Sequence, residues 1–114
     1  MILALANLTV EENLAVAEIK RHVLALVGNR LKVFSVFGSK ARGDFDSKSD
    51  VDLAIVVDGL DGTTKRQIID RVVEAEMEHL VAIFSLVLSW ENFVDLRARE
   101  RRIALDIERE GIPA

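Results

Sequence analysis

Two neighbouring stretches of the chain, Phe37-Gly38-Ser39-Lys40-Ala41-Arg42-Gly43 and Ser49-Asp50-Val51-Asp52-Leu53, decide its fold. Residues 31–37 are rich in β-branched and aromatic side chains, and residues 51–57 are apolar on both faces after their start. These patterns predict one strand that ends at the first stretch and another that begins within the second. The ten residues between the two motifs, 40–49, are polar and turn-prone, with room for at most a short helical turn. The Gly-Ser and Asp-Val-Asp motifs therefore stand where one predicted strand ends and the next begins.

The residue types of these motifs indicate phosphate and metal chemistry. Glycine lets backbone amides approach an anion closely, and the Ser39 hydroxyl adds a donor, although Gly-Ser taken alone is also a common turn. Side chains alternate along a strand, so Asp50 and Asp52 leave the same face and repel each other unless a cation lies between them. Mg²⁺ prefers one or two carboxylates together with substrate phosphates, whereas capping of the strand end is the alternative explanation for the pair.

The rest of the chain predicts helices around this pair of strands. Thr9 and Glu12 form a capping box that begins a helix ending at Gly28. A second long helix is predicted over 63–78, a third strand over 80–88, and a last helical region from 89 that Gly111 and Pro113 close. The predicted fold class is α+β, with helices packed on a small mixed β-sheet.

Composition limits the class of protein. The 114 residues carry 15 Lys and Arg against 19 Asp and Glu, a net charge of −4, and half are apolar, which predicts one globular domain over 1–114. Acidity without a basic run argues against direct nucleic-acid binding.

There is no cysteine for a disulfide or thiolate metal site, so a cytoplasmic location is expected. The apolar opening, 1–8, is too short for a membrane span, and His22 and His79 lack the i+4 partner of a zinc site.

The paired motifs resemble the signature of the DNA polymerase β-like nucleotidyltransferase superfamily, and in particular of its small single-domain branch, the minimal nucleotidyltransferases. The specific part of the resemblance is 37–53, and the flanking helices and 108–112 are similar to that branch too. The resemblance implies binding of a nucleoside triphosphate with Mg²⁺ and transfer of its nucleotidyl group to a hydroxyl, with release of pyrophosphate. It implies that Gly38 and Ser39 hold the β- and γ-phosphates, that Arg42 and Lys40 offset phosphate charge, and that the metal-binding, catalytic carboxylates are Asp50 and Asp52.

One feature departs from the superfamily pattern, which usually places a third carboxylate on the following strand. Residues 81–88 contain no acid, and Ser85 is the only polar residue there that could face the site. Three acids lie outside the strand and would have to bend in: Glu76, Glu78 and Glu91. ATP and Mg²⁺ binding is therefore better supported by the sequence than catalysis is.

The resemblance also implies a biological setting. Minimal nucleotidyltransferases are often encoded beside a small helical HEPN protein and act as its antitoxin, in several pairs by transferring AMP from ATP to a tyrosine of the toxin. One alternative is a catalytically degenerate subunit that binds nucleotide and partner, and another is one subunit of a small-molecule nucleotidyltransferase of the aminoglycoside-modifying kind. The sequence leaves open whether the chain forms a homo-oligomer.

Overall fold

The computed structural model describes residues 7–43 and 49–114. The described ranges contain four strands and five α-helices in the order α1 (Val10–Val27), β1 (Leu31–Phe37), α2 (Ser39–Arg42), β2 (Val51–Val57), α3 (Gly62–His79), β3 (Ile83–Ser89), α4 (Trp90–Ala98), α5 (Arg102–Glu110) and β4 (Ile112–Pro113), with a short 3₁₀ helix at Gly28–Arg30. The predicted capping box is confirmed, because the Thr9 hydroxyl accepts from the Glu12 amide and the Glu12 carboxylate accepts from the Thr9 amide.

The strands form one mixed sheet in the order β3-β2-β1-β4. β1 and β2 are antiparallel, β2 and β3 are parallel, and β4 is antiparallel to β1. Helix α3 connects the parallel pair, as a parallel connection requires. The predicted fold class, a small mixed sheet with helices packed on it, is confirmed.

Strand β2 lies inside the sheet and is covered on both faces. Leu53 and Ile55 face the core under α1 and α3, whereas Ala54 and Val56 face the core under α4 and α5. All four are fully buried, which accounts for the unbroken apolar run in the sequence. Because side chains alternate, Asp52 belongs to the same face of β2 as Ala54 and Val56.

The C-terminal third differs from the prediction in three places. The third strand begins at Ile83 rather than at 80, because Leu80 ends α3 in a left-handed conformation with φ 54°. The last helical region is two helices, separated at 99–101, where Glu100 also has φ 54°. After Gly111 the chain adds the short β4, which pairs with Ser35 and Val36 near the end of β1 and was not predicted.

Within the described part of the chain, no helix combines the length and the apolar character needed to cross a membrane. The predicted short helical turn after the first strand is α2. Most of the polar stretch that follows it, 44–48, lies outside the described residues.

Candidate active site

The antiparallel register of β1 and β2 brings the two motifs together. Phe37, the last residue of β1, is paired with Asp52 near the start of β2. Gly38 therefore lies alongside the Asp52 carboxylate, so close that a Cβ added to Gly38 would overlap Asp52 Oδ2. Gly38 also has φ 72° and ψ −150°, a conformation that is essentially restricted to glycine. Both the backbone conformation and the contact with Asp52 require glycine here.

The chain turns into α2 directly after this contact. The amide of Arg42 donates to the Gly38 carbonyl at 3.1 Å, and the amide of Gly43 donates to the Ser39 carbonyl at 2.9 Å. Ser39 is thus the first residue of a single helical turn whose start adjoins Asp52. The structure places the predicted phosphate-binding dipeptide and one predicted metal ligand at the same end of the sheet.

The electrostatics of the site are dominated by its two carboxylates. Burial raises the pKa of Asp52, the charge of nearby Asp50 raises it further, and the Arg42 guanidinium acts in the opposite direction. Asp50 itself is exposed. The repulsion between these carboxylates would be relieved by a divalent cation, and their oxygen atoms are donors of the kind that Mg²⁺ takes. The residues present therefore fit a divalent metal site.

Arg42 is held beside this carboxylate pair by the end of α5. Its Nη1 lies 3.0 Å from Glu110 Oε2, and both side chains are partly exposed. Since the Arg42 charge acts on Asp52, the guanidinium is within electrostatic reach of the site. This placement agrees with the role that the family resemblance implied for Arg42, which is to offset phosphate charge. That role stays a prediction.

Lys40 is placed differently from the other predicted site residues. Its side chain is buried, and its Nζ lies 3.3 Å from Glu12 Oε1 of α1. Asn7 Nδ2 donates to the Lys40 carbonyl at 2.9 Å. The structure therefore gives Lys40 a buried ion pair that ties α2 to α1, and contact with a phosphate remains a prediction.

The position beside Asp52 on the next strand is held by an aromatic ring. In the parallel register Asp52 is paired with Phe84, which lies on the same face and is 53% exposed. Ser85 is paired with Leu53 and so faces the core under α1 and α3. The expectation that Ser85 could face the site is wrong, because adjacent residues of a strand point to opposite faces.

The three acids outside β3, which are Glu76, Glu78 and Glu91, make their contacts away from Asp52. Glu76 Oε2 accepts from the Ile83 amide at 3.1 Å, and Glu78 lies beside Glu18 and His79. Hydrogen bonding to its own backbone lowers the pKa of Glu91, and Asp58 and Gly59, beyond the far end of β2, act in the same direction. That end is roughly 20 Å from Asp50, at about 3.3 Å per residue.

Sequence reasoning missed a network between α1 and α3. His79 Nδ1 lies 3.1 Å from Glu11 Oε2, and its Nε2 lies 2.8 Å from Glu18 Oε2. Hydrogen bonds with Glu18 and then Glu11 raise the pKa of His79, and the bond with His79 lowers the pKa of Glu18. Ligand atoms of Glu18, Glu78 and His79 lie within 4.8 Å of one another, but carboxylates already occupy both ring nitrogens. No local pattern could have shown a contact between residues 61 positions apart.

A cavity of about 690 Å³ opens next to this network and to Asp50. Its lining comes from the start of α1, the end of α3, the segment leading into β3, and Ser49 and Asp50. The cavity therefore adjoins the exposed carboxylate of the predicted metal pair. It was not foreseen, because its walls come from four separate parts of the sequence.

Comparison with known proteins identifies the family. Residues 23–113 match the family described as Polymerase beta, Nucleotidyltransferase. The chain belongs to this nucleotidyltransferase family. Its fold is similar to the crystal structure of a candidate nucleotidyltransferase from Sulfolobus solfataricus, with a TM-score of 0.51 and 23% identity over 75% of this chain and 71% of that one. A search of curated proteins found no match.

Membership of this family bears on the metal ion that the site would hold. The chain is a minimal nucleotidyltransferase of the polymerase β-like superfamily, and the family match includes both motifs. Nucleotidyltransferases of this family generally use a divalent metal ion. Asp50 and Asp52 offer the oxygen ligands that such an ion requires.

Proposed function

We propose that this nucleotidyltransferase binds ATP with Mg²⁺ at the junction of β1 and β2 and transfers AMP to a hydroxyl of a partner protein. The observation that carries the proposal is the contact between Gly38 and the Asp52 carboxylate. This contact puts a turn suited to phosphates beside a carboxylate pair suited to a divalent cation. Family membership supports the reaction type.

Each predicted residue of the site has a distinct role in this reaction. Asp50 and Asp52 would hold Mg²⁺, which when bound supplies charge neutralisation on the triphosphate. The Ser39 hydroxyl and the amides of the turn would bind the β- and γ-phosphates. Arg42, held by Glu110, would offset the charge that develops on the leaving group.

The transfer itself is a substitution at phosphorus. The acceptor oxygen forms a bond to the α-phosphorus while the bond from that phosphorus to the α–β bridging oxygen breaks. AMP is thereby joined to the acceptor, pyrophosphate leaves, and the hydroxyl proton passes to solvent. The cavity beside Asp50 gives an acceptor segment of another chain room to approach.

A HEPN-type helical protein is the partner that we propose, with the present chain as the cytoplasmic antitoxin of the pair. The resemblance of 37–53 to the minimal nucleotidyltransferases supports this choice. The exposure of Asp50 fits an acceptor that another chain presents.

A second candidate function is a nucleotide-binding and partner-binding subunit without transferase activity. It is favoured by Phe84, whose ring stands beside Asp52 where a third carboxylate would complete the metal site. A role as one subunit of a small-molecule nucleotidyltransferase would need an acceptor-binding domain from another chain.

The test is transfer of label from α-³²P-ATP to a co-purified HEPN-type protein in the presence of Mg²⁺. Wild type should label the partner, and Asp50→Asn/Asp52→Asn should not. Asp70→Asn, which removes an exposed carboxylate from α3, is the matched control and should label it as wild type does. ATP binding and partner binding without any labelling would establish the second candidate instead.

A further inference from the structure

Strand β3 lies at one edge of the sheet and lacks the residue types that usually protect an edge strand. All seven of its residues pair with β2, from Ile83 opposite Val51 to Ser89 opposite Val57. Its other side pairs with none of the described strands. The strand contains no charge, glycine or proline, the devices by which edge strands normally avoid pairing with other chains. Such an edge is suited to accept another strand.

Helix α3 continues this surface with an apolar stripe. Ile68 and Val72 of α3 are buried against the sheet, whereas Ile69, Val73 and Met77 are 38%, 46% and 72% exposed. These three residues are spaced by four and so form one line along the helix, turned about 100° from the buried line. Leu80, 89% exposed, follows at the helix end.

The stripe lies on the flank of α3 that is turned away from α1. Glu78 marks the opposite flank, because its carboxylate approaches Glu18 of α1. α3 packs between α1 and β3, so the stripe overhangs the free edge of β3. The helix stripe and the strand edge therefore form one surface, apolar on the helix and presenting backbone N–H and C=O groups along the strand.

We propose that this surface binds a second copy of the chain through two-fold pairing of β3 with itself. A two-fold axis makes the paired strands antiparallel and places identical surfaces in contact. Since β3 carries no charge, no like charges are brought opposite each other. The result is one continuous sheet in which the four described strands of one copy join those of the other.

The charges along α3 fit the same symmetry. The axis that reverses β3 also reverses α3, so the first half of one helix runs beside the second half of the other. On the exposed side of the helix, the first half carries Arg66, and the second half carries Glu74, which also pairs with Arg71 of its own helix. Arg66 of one copy thus approaches Glu74 of the other at the margin of the apolar stripe, which favours this occupant.

The first test is the mass in solution of the full chain, measured by sedimentation equilibrium over a range of concentrations. Wild type should have twice the chain mass of 12.7 kDa. Val73→Glu/Met77→Glu should raise the dissociation constant at least about tenfold, since each 1.4 kcal/mol of lost binding is tenfold. Leu24→Glu, at an exposed apolar site on α1, is the matched control and should dimerise as wild type does.

Hydrogen exchange of wild type tests the strand pairing without any substitution. The amides of Ile83–Ser89 should exchange more slowly as protein concentration rises, because dimerisation protects the free edge. A wild-type monomer at every concentration, an unaffected double variant, or exchange of β3 that is independent of concentration would overturn the proposal. A monomer that binds a helical partner protein through Val73 and Met77 would overturn it as well.

Discussion

Asp52 Oδ2 lies directly against the backbone of Gly38, with no space between them for even a methyl group. The antiparallel pairing of β1 with β2 produces this contact, since Phe37 is opposite Asp52. The carboxylate is thereby fixed at the turn that begins α2. The proposed activity depends on this relationship.

Gly38→Ala should therefore displace the Asp52 carboxylate. The added methyl overlaps Oδ2, and alanine also disfavours the positive φ of Gly38. We expect nucleotidyl transfer to fall about a hundredfold, the effect of misplacing a reacting group by about 1 Å. The measurement is the rate of labelling with α-³²P-ATP.

Gly62→Ala is the control for that substitution. Gly62 begins α3, and a Cβ there would meet no atom within 4 Å. Its transfer rate should equal that of wild type. Equal rates for Gly38→Ala and Gly62→Ala would show that the position of Asp52 does not limit the reaction.

Phe84→Asp should strengthen the metal site. The new carboxylate would lie on the same face as Asp52, one strand away at about 4.8 Å. We expect tighter Mg²⁺ binding and a rate of transfer roughly tenfold higher, because a third oxygen ligand would come from the protein. Isothermal titration with Mg²⁺ and the labelling assay measure the two effects.

Phe84→Asn separates charge from the loss of the ring. The asparagine variant removes the same exposed aromatic group but adds no negative charge. It should bind Mg²⁺ less tightly than Phe84→Asp does. If the two variants bind Mg²⁺ equally, the position beside Asp52 is not part of the metal site.

Lys40→Met should destabilise the fold, because it leaves the buried Glu12 carboxylate without its cationic partner. Breaking a buried ion pair from one side costs about 3–5 kcal/mol, and we expect a loss of that order in the free energy of unfolding. Chemical denaturation measures it. Lys32→Met, at an exposed site on β1, should change the stability little, and similar stabilities for the two variants would argue against a structural role for the Lys40–Glu12 pair.

The His79 network should make stability depend on pH. Its hydrogen bonds with Glu18 and Glu11 raise the pKa of His79 above 6.5 in the folded chain. The protonated ring therefore stabilises the fold fully below about pH 6.5, and this contribution is lost as pH rises through the raised pKa. Because the pKa of Glu18 is lowered from 4.5, the contribution of that carboxylate is present above pH 4.5 and is lost in stronger acid.

The comparison of wild type with His79→Gln measures this effect. The difference in their free energies of unfolding should be greatest between about pH 4.5 and 6.5 and should shrink at higher pH. Arg21→Gln, at an exposed site on α1, is the control and should not show this dependence on pH. A difference that does not change with pH would mean that the charge on His79 is not what stabilises the fold.

The parts of the fold that local sequence determines were predictable. The strands 31–37 and 51–57 have the bounds that their β-branched runs indicate, and Thr9 caps α1 as its spacing with Glu12 indicates. The Gly-Ser and Asp-x-Asp motifs were found because their chemistry depends on residue types close together in the chain.

The parts that depend on long-range contacts were not predictable in the same way. Nothing near Lys40 in the sequence shows that Glu12 will meet it across the fold, so its charge was assigned only to the phosphates. The short β4 exists because α5 returns the chain to β1, which two residues of sequence do not encode. The side of β3 on which Ser85 lies follows from the register with β2, which the sequence left open.

The proposed activity requires that nucleotide and metal bind together at the junction of β1 and β2. The most direct measurement of this binding is a ¹H–¹⁵N spectrum of the full chain titrated with a non-hydrolysable ATP analogue and Mn²⁺ in place of Mg²⁺. We expect paramagnetic broadening centred on the amides of Gly38, Ser39, Asp50 and Asp52, and no such broadening in Asp50→Asn/Asp52→Asn. Broadening centred on His79 and Glu18, or equal broadening in wild type and the double variant, would contradict it.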